Sequence, residues 1–200
     1  MRILITGFDP FGKDLINPSF QAVSGLSSTI NNTHIDKLEL PTEYMRAAQV
    51  LLNTLKTHDY SHVILVGQAA GRSDITLERY ALNVMNSTNG DNVHYKPNNE
   101  TILKDTPHAY ETSLNVEQLV QTLQKADIPA SISYHAGTFV CNSTYYHLLD
   151  HIKASSTQGL FVHIPIVESQ RAQHKDDIPF LQLEVITKAL ELMITTLTTK

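Results

Sequence analysis

Short apolar runs of strand length recur along the chain. Residues 3–6 and 63–66 are apolar at nearly every position, which is typical of strands buried on both faces. Strand character returns at 75–84, 131–135 and 160–164, each time between more polar stretches. We therefore predict strands at these five places.

Helical periodicity separates the predicted strands. Asn17 followed by proline is a typical helix start, Thr42 could cap a second helix, and Asn115 precedes a third. A fourth helix is predicted to begin near Cys141, and a long one follows the last strand. Four of these helices carry an apolar stripe: Phe20, Val23 and Leu26; Tyr44, Ala48, Leu51, Leu52 and Leu55; Val116, Leu119, Val120 and Leu123; Leu183, Ile186, Leu190, Met193 and Leu197.

This alternation of strands and helices predicts an α/β fold. Such chains build a mostly parallel sheet that is covered by helices on both faces. The 200 residues suit a single domain, 1–200, because that length can bury one sizeable core. The polar stretch 86–111 shows no sustained periodicity, and we expect it to be a surface excursion. Ligands of such folds bind beyond the carboxyl ends of the strands.

Composition and charge exclude several classes of partner. The chain is 42% hydrophobic and 18% charged, with a formal net charge of −5 and no basic cluster, so we expect no nucleic-acid partner. No run approaches the roughly 18 apolar residues of a membrane span, so no membrane partner is expected. The first apolar run is too short for a signal peptide, and the cytoplasm is the expected compartment.

Cys141 is the only cysteine of the chain. A single thiol cannot form an intrachain disulfide, and it is expected to stay free in a reducing compartment. It follows a predicted strand and a glycine turn, where a new helix begins. Because a helix N-terminus favours a thiolate, Cys141 is a candidate nucleophile.

A cysteine hydrolase also needs an imidazole and an acid that orients it. His163 lies at the end of an apolar strand that proline terminates, and Glu78 interrupts another predicted strand. Each has a simpler interpretation. His163 could be a core histidine bonded to the main chain, and Glu78 could be a solvated carboxylate paired with Arg79. These residues alone indicate no more than a possible Cys/His/Glu hydrolase.

His147 and His151 are four residues apart on one predicted helix, with Asp150 beside them, which resembles zinc-binding spacing. The metalloprotease motif requires a glutamate that this chain lacks, and no further ligand stands out. We interpret the pair as part of an exposed helix face and expect no metal.

Five runs, in order along the whole chain, resemble the pyroglutamyl peptidase I (pyrrolidone-carboxylate peptidase) family. They are Gly7-Phe8-Asp9-Pro10-Phe11-Gly12 with Asn17-Pro18-Ser19; Val66-Gly67-Gln68-Ala69-Ala70-Gly71-Arg72; Ile75-Thr76-Leu77-Glu78-Arg79-Tyr80-Ala81-Leu82-Asn83; Ser133 to Asn142; and Phe161-Val162-His163-Ile164-Pro165. Each run alone is modest evidence, whereas five in order are highly specific.

The resemblance implies a cysteine exopeptidase that removes N-terminal pyroglutamate from peptides through a thioester acyl-enzyme. Cys141 is then the nucleophile, His163 its acid/base partner and Glu78 the residue that orients the imidazole. The resemblance also implies a twisted α/β/α sandwich, no metal or organic cofactor, and a homotetramer or homodimer.

Further matches with the family imply a slot for the lactam ring. Pyroglutamate is small, flat and uncharged, with one N–H donor and one ring carbonyl, so it suits a slot with aromatic walls. The positions that match the family's pocket are Phe8, Phe11, Thr42, Gln68, Phe139 and Val140.

One local departure concerns the segment 86–97. Thr88 stands where family members commonly carry an arginine near the active site, which leaves the conformation of this loop open. Two other functions are therefore compatible with the sequence. One is a related cysteine amidase for another small cyclic or N-acyl group, and the other is a ligand-binding protein with little turnover.

Overall fold

A seven-stranded sheet forms the centre of the computed structural model, which describes residues 1–174 and 177–199. Its strands are β1 (Arg2–Phe8), β2 (Thr29–Ile30), β3 (Thr33–Leu40), β4 (His62–Gln68), β5 (Ile75–Glu78), β8 (Ala130–Ser133) and β9 (Gln158–Ile164). Their order across the sheet is β2-β3-β1-β4-β9-β5-β8. Four neighbouring pairs are parallel, whereas β2–β3 and β5–β9 are antiparallel.

Two small ribbons flank this sheet. One pairs β6 (Tyr80–Leu82) with β7 (Ala109–Glu111), and the other pairs β10 (Ile166–Val167) with β11 (Phe180–Leu181). The helices are α1 (Pro18–Ser24), α2 (Tyr44–Leu55), α3 (Val116–Lys125), α4 (Val140–Ile152) and α5 (Leu183–Thr198), with a short 3-10 helix at Glu168–Gln173. No helix among the described residues has both the length and the apolar content that crossing a bilayer requires.

The helices cover both faces of the sheet. Successive side chains of a strand point to opposite faces, so each inner strand contributes to two cores. Ile3, Ile5 and Ile64 pack in the core beneath α1, α3 and α5. Leu4 and Leu65 pack in the core beneath α2 and α4. This arrangement confirms the predicted α/β fold with a mostly parallel sheet.

Several strands differ from the predicted ones. The predicted strand 75–84 is divided at Arg79 into β5 and β6, which belong to different sheets. β8 ends at Ser133 rather than at residue 135. The alternation did not reveal β3, because this strand carries charged residues along most of its length and its middle positions are only half-buried.

The start of α2 depends on a residue from a distant loop. Glu43 occupies the N-cap position and provides no side-chain bond, so the predicted cap, Thr42, is wrong. The Asp91 carboxylate accepts the main-chain N–H of Tyr44 at 3.0 Å. It also accepts the N–H groups of Val93 and Tyr95, and is itself buried. One carboxylate therefore shapes its own loop and caps a helix.

Candidate active site

The sheet and α4 bring the candidate nucleophile and histidine to one edge of the molecule. Gly67 pairs with His163 across β4 and β9, near the carboxyl ends of both strands. Cys141 is the second residue of α4, which packs on this face of the sheet. A Cβ atom at Gly67 would lie 3.1 Å from the Cys141 sulfur and 2.8 Å from the Phe161 ring. The absence of a side chain at position 67 therefore provides room for the thiol.

His163 and Glu78 form a buried pair. The His163 Nδ1 lies 2.7 Å from the Glu78 Oε1, and the glutamate is fully buried. A carboxylate can only accept hydrogen bonds, so Nδ1 carries the proton and Nε2 holds the lone pair. This is the tautomer that a general base requires.

Arg72 is the second partner of Glu78. Its Nη1 donates to the same Oε1 at 2.7 Å and also contacts the Thr76 hydroxyl. The other oxygen, Oε2, accepts no direct hydrogen bond from the described residues, and the Ser133 side chain adds to the lowering of the Glu78 pKa. Two donors therefore converge on one carboxylate oxygen. Arg79, the partner that the sequence suggested, binds Glu111 and Glu117 instead.

Burial sets the resting protonation states of the site. Burial, supported by the negative charge of Glu78, raises the pKa of the Cys141 thiol to about 12. Burial also lowers the pKa of His163 below its usual range. Burial alone would raise the pKa of Glu78, but the hydrogen bond and charge of His163 lower it overall. These shifts favour a neutral thiol and a neutral imidazole beside a carboxylate, not the thiolate that the helix N-terminus suggested.

A cavity of about 110 Å³ opens beside the thiol. A ring of benzene size fits a cavity of roughly 150 Å³, so this volume suits a five-membered ring. The wall consists of Phe8, Phe11, Asn17, Thr42, Gln68, Ala136, Phe139, Cys141 and His163. Five of the six predicted pocket residues are on this wall. The sixth, Val140, is fully buried in the adjacent core instead.

Three aromatic rings pack against one another along one side of this cavity. The rings of Phe11 and Phe139 are 6.0 Å apart, and Tyr44 meets Phe139 edge-on at 5.4 Å. The Tyr44 hydroxyl donates to the carbonyl of Thr138, in the turn before α4. The ring of Phe139 is therefore held from two directions beside the nucleophile.

Three residues at the site were not among the predicted site residues. Arg72 lies in one of the resembling runs, but nothing in that run indicates which acid it meets. Asn17 was interpreted as a helix cap, which it is: its side chain accepts the N–H of Ser19 while the residue also lines the cavity. Ala136, in the nucleophile run, carries no chemical signal.

The interpretation of the histidine pair on α4 as part of an exposed helix face is wrong for one of its two members. His147 is buried and its Nε2 has no hydrogen-bond partner, whereas His151 is exposed on the same helix. Within residues 1–174 and 177–199, no group of three or more histidine, cysteine or acidic side chains is placed to hold a metal ion.

The segment 86–97, which lacks the family's arginine at position 88, is held in place by other residues. Thr88 is exposed, whereas Asp91 holds the loop by the three main-chain bonds described above. Asn92 also donates to the carbonyl of Pro10, in the loop that carries Phe11. The segment is thus tied to α2 and to the cavity wall without an arginine at position 88.

Known proteins resemble this chain over nearly its whole length. The family model for pyroglutamyl peptidase matches residues 1–200. Pyrrolidone-carboxylate peptidases of Thermococcus kodakarensis and Brachyspira hyodysenteriae are each 40% identical to this chain. The alignments cover 97% and 98% of this chain, and 94% and 98% of those proteins.

Solved structures show the same fold. The crystal structure of pyroglutamyl peptidase I from Bacillus amyloliquefaciens superimposes with a TM-score of 0.92 at 39% identity, covering 98% of this chain and 95% of that one. The pyrrolidone carboxyl peptidase of Fervidobacterium islandicum gives a TM-score of 0.95 at 33% identity, covering 98% of both chains. Sequence and structure agree over nearly the whole length, and this chain belongs to the pyroglutamyl peptidase family.

Proposed function

We propose that this protein removes N-terminal pyroglutamate from peptides, with Cys141, His163 and Glu78 as its catalytic residues. The observation that carries the proposal is the small aromatic cavity that ends at both the thiol and the imidazole. Its wall suits an uncharged lactam. A free N-terminal amine would have to lose its hydration to enter, which excludes ordinary N-termini.

The first half of the reaction forms a thioester. His163 Nε2 accepts the thiol proton as the Cys141 sulfur attacks the carbonyl carbon of pyroglutamate, and the electron pair of the carbonyl moves onto its oxygen. Glu78 stabilises the imidazolium that forms. When the tetrahedral intermediate collapses, the C–N bond breaks and His163 gives its proton to the leaving amine.

The second half releases pyroglutamate. His163 takes a proton from water, the hydroxide attacks the thioester, and the thiol leaves with the proton. The first N–H groups of α4 have no partner within the helix, and no side chain caps them. They are the donors that would stabilise the oxyanion in both halves.

Amide cleavage assays test the proposed substrate. Under reducing conditions, we expect release of a fluorescent amine from its pyroglutamyl amide, and release from the prolyl and alanyl amides that is slower by at least about 10²-fold. Proline lacks the ring carbonyl and carries a charged amine. Failure to cleave the pyroglutamyl amide would refute the proposed function, and equal rates on the prolyl amide would refute the lactam slot.

Because both donors bond the same oxygen of Glu78, the contribution of its negative charge to kcat can be tested separately from its hydrogen bonds. In Glu78→Gln, the amide oxygen can accept from both His163 and Arg72 while the amide nitrogen takes the place of the unpartnered Oε2. The tautomer of His163 then survives and only the negative charge is lost. We expect kcat to fall by about 10- to 10²-fold, against about 10³-fold or more for Glu78→Ala.

The control for this pair is Glu117→Gln, the same change at an exposed glutamate that binds Arg79. It is expected to leave kcat unchanged. Equal loss of kcat in Glu78→Gln and Glu78→Ala would mean that the new glutamine turns its nitrogen toward His163. The two donors at Oε1 would then not determine the tautomer of His163.

The assembly and compartment of the protein are also proposals. We propose one catalytic domain spanning residues 1–200, active without a metal or organic cofactor, in a cytoplasmic homotetramer or homodimer. The family resemblance supports the oligomer. The reducing cytoplasm suits an enzyme whose only thiol must stay free.

A further inference from the structure

Gln68 is held at the cavity wall by a chain of side-chain hydrogen bonds that reaches the 3-10 helix. Its Nε2 donates to the Asp14 Oδ2 at 2.5 Å, and its Oε1 accepts from the Gln170 Nε2 at 3.0 Å. Gln170 is fully buried and Gln68 is 7% exposed. Both the nitrogen and the oxygen of the Gln68 carboxamide are therefore hydrogen-bonded. Neither of their partners takes part in the proposed reaction.

The direction of these bonds is determined at both ends. The main-chain N–H of Val167 can only donate, and it donates to the Gln170 Oε1 at 3.1 Å. The Gln170 Nε2 therefore faces Gln68, and it also donates to the carbonyl of Ile16. At the other end, the Asp14 carboxylate can only accept, and His174 holds its second oxygen at 2.9 Å. Gln68 is thus fixed in one of its two amide orientations.

The side chain of Gln68 points away from the nucleophile. Ile64 and Val66, four and two residues earlier in β4, belong to the core beneath α1 and α5. Gly67 faces the thiol on the opposite side. By strand alternation, the Gln68 side chain leaves β4 on the same side as Val66, and there it meets Asp14 and Gln170.

We propose that Gln170 and Asp14 are positioning residues for lactam recognition: they clamp the Gln68 carboxamide from both ends and so hold the main chain of residue 68 against the bound ring. This inference rests on the proposed function, because it assumes that the cavity takes the lactam. It assigns Gln170 and Asp14 a part in substrate affinity, although neither is a catalytic group.

A polarity swap tests the clamp. Gln170→Glu removes the N–H donor that bonds the Gln68 Oε1. The Gln68 carboxamide then lies between two carboxylates, and only its nitrogen can bond to either of them. At mildly alkaline pH, where the new carboxyl group is more fully ionised, we expect KM for the pyroglutamyl amide to rise about tenfold or more. The value of kcat should stay within about threefold, because Cys141, His163 and Glu78 are untouched.

The second change should reverse the defect. When Asp14→Asn is combined with Gln170→Glu, Gln68 can invert its amide, donating to the new carboxylate at position 170 and accepting from the new amide at position 14. Main-chain positioning is then restored, and we expect most of the increase in KM to disappear. A small residual defect should remain because the Ile16 carbonyl loses its donor in both variants. Asp14→Asn alone keeps an acceptor for Gln68 but loses the carboxylate charge, so we expect it to raise KM by less than Gln170→Glu does.

Gln173→Glu is the matched control. It makes the same change three residues along the same 3-10 helix, where the exposed side chain accepts a bond from the Leu15 main chain that a glutamate can also accept. Thermal unfolding of each variant separates a loss of folding from a loss of affinity. The rate at which iodoacetamide modifies Cys141 should be the same in all of them.

Protection of Cys141 by a bound lactam measures affinity without requiring substrate turnover. We expect 2-pyrrolidone, the bare lactam, to protect Cys141 from iodoacetamide less well in Gln170→Glu than in Gln173→Glu, and to regain its effect in the double variant. Equal KM and equal protection in Gln170→Glu and Gln173→Glu would overturn the inference. So would a double variant that regains thermal stability but not KM. A wild type that does not cleave the pyroglutamyl amide would instead refute the proposed function.

Discussion

Replacing Cys141 with serine is expected to reduce kcat/KM for a pyroglutamyl amide by on the order of 10⁴-fold or more. The serine hydroxyl is far less acidic than the thiol, and the buried site disfavours an anion at this position even for sulfur. His163 would have to remove a much more tightly held proton before attack could begin. Release of the fluorescent amine, followed at enzyme concentrations high enough to detect residual activity, measures the loss.

The control for this variant uses the fact that Cys141 is the only cysteine in the sequence. Wild-type protein treated with iodoacetamide should carry one modification and lose activity to the same degree, whereas the serine variant should take up none. Thermal unfolding should show that the variant folds. Residual activity above about 1% in the unmodified variant would contradict a nucleophilic role.

Replacing His163 with glutamine is expected to lower kcat by about 10⁴-fold, because the general base and the acid for the leaving amine are lost together. His147→Gln is the matched control. It makes the same change at a second buried histidine, which lies on α4 and has no hydrogen bond at Nε2. Its kcat should be that of the wild type, and comparable losses in the two variants would contradict the assignment of His163.

The pH dependence of the wild type provides a second measurement of the same residue. Burial lowers the pKa of His163, so the imidazole stays neutral as the pH falls through the ordinary value of 6.5. The rate of acylation should therefore decline only at a lower pH, as His163 takes up a proton and ceases to be a base. A decline centred above 6.5 would mean that Glu78 outweighs burial.

The α/β fold could be predicted because its signals are local. The middle of a buried strand such as β4 is continuously apolar and the helices carry regular stripes, so both are visible in a short window of sequence. The position of Cys141 at a helix start was visible for the same reason. The strand order, and the antiparallel placement of β5 beside β9, depend on contacts between distant segments and left no comparable signal.

The partner of Glu78 illustrates why the site could be predicted only in part. The neighbouring Arg79 was the obvious candidate in the sequence, but adjacent residues of an extended chain point in opposite directions. Glu78 points inward to His163, whereas Arg79 binds two glutamates at the surface. Arg72 reaches Glu78 only because the chain turns between β4 and β5. Which arginine neutralises a buried acid is thus a property of the fold.

The missing cap of α4 has a consequence for engineering this enzyme. The side chains of Asn17 and Asn115 cap α1 and α3, and Asp91 supplies the bond at the start of α2, but Phe139 gives α4 no such bond. A capping side chain is commonly worth about 1 kcal/mol, so residue 139 is where a design for heat resistance would add serine or aspartate. Such a cap would occupy the N–H groups that we propose as donors to the oxyanion, and it would remove an aromatic side chain from the cavity wall. Thermostability is therefore better sought at the start of α5, where Gln182 also provides no side-chain cap bond.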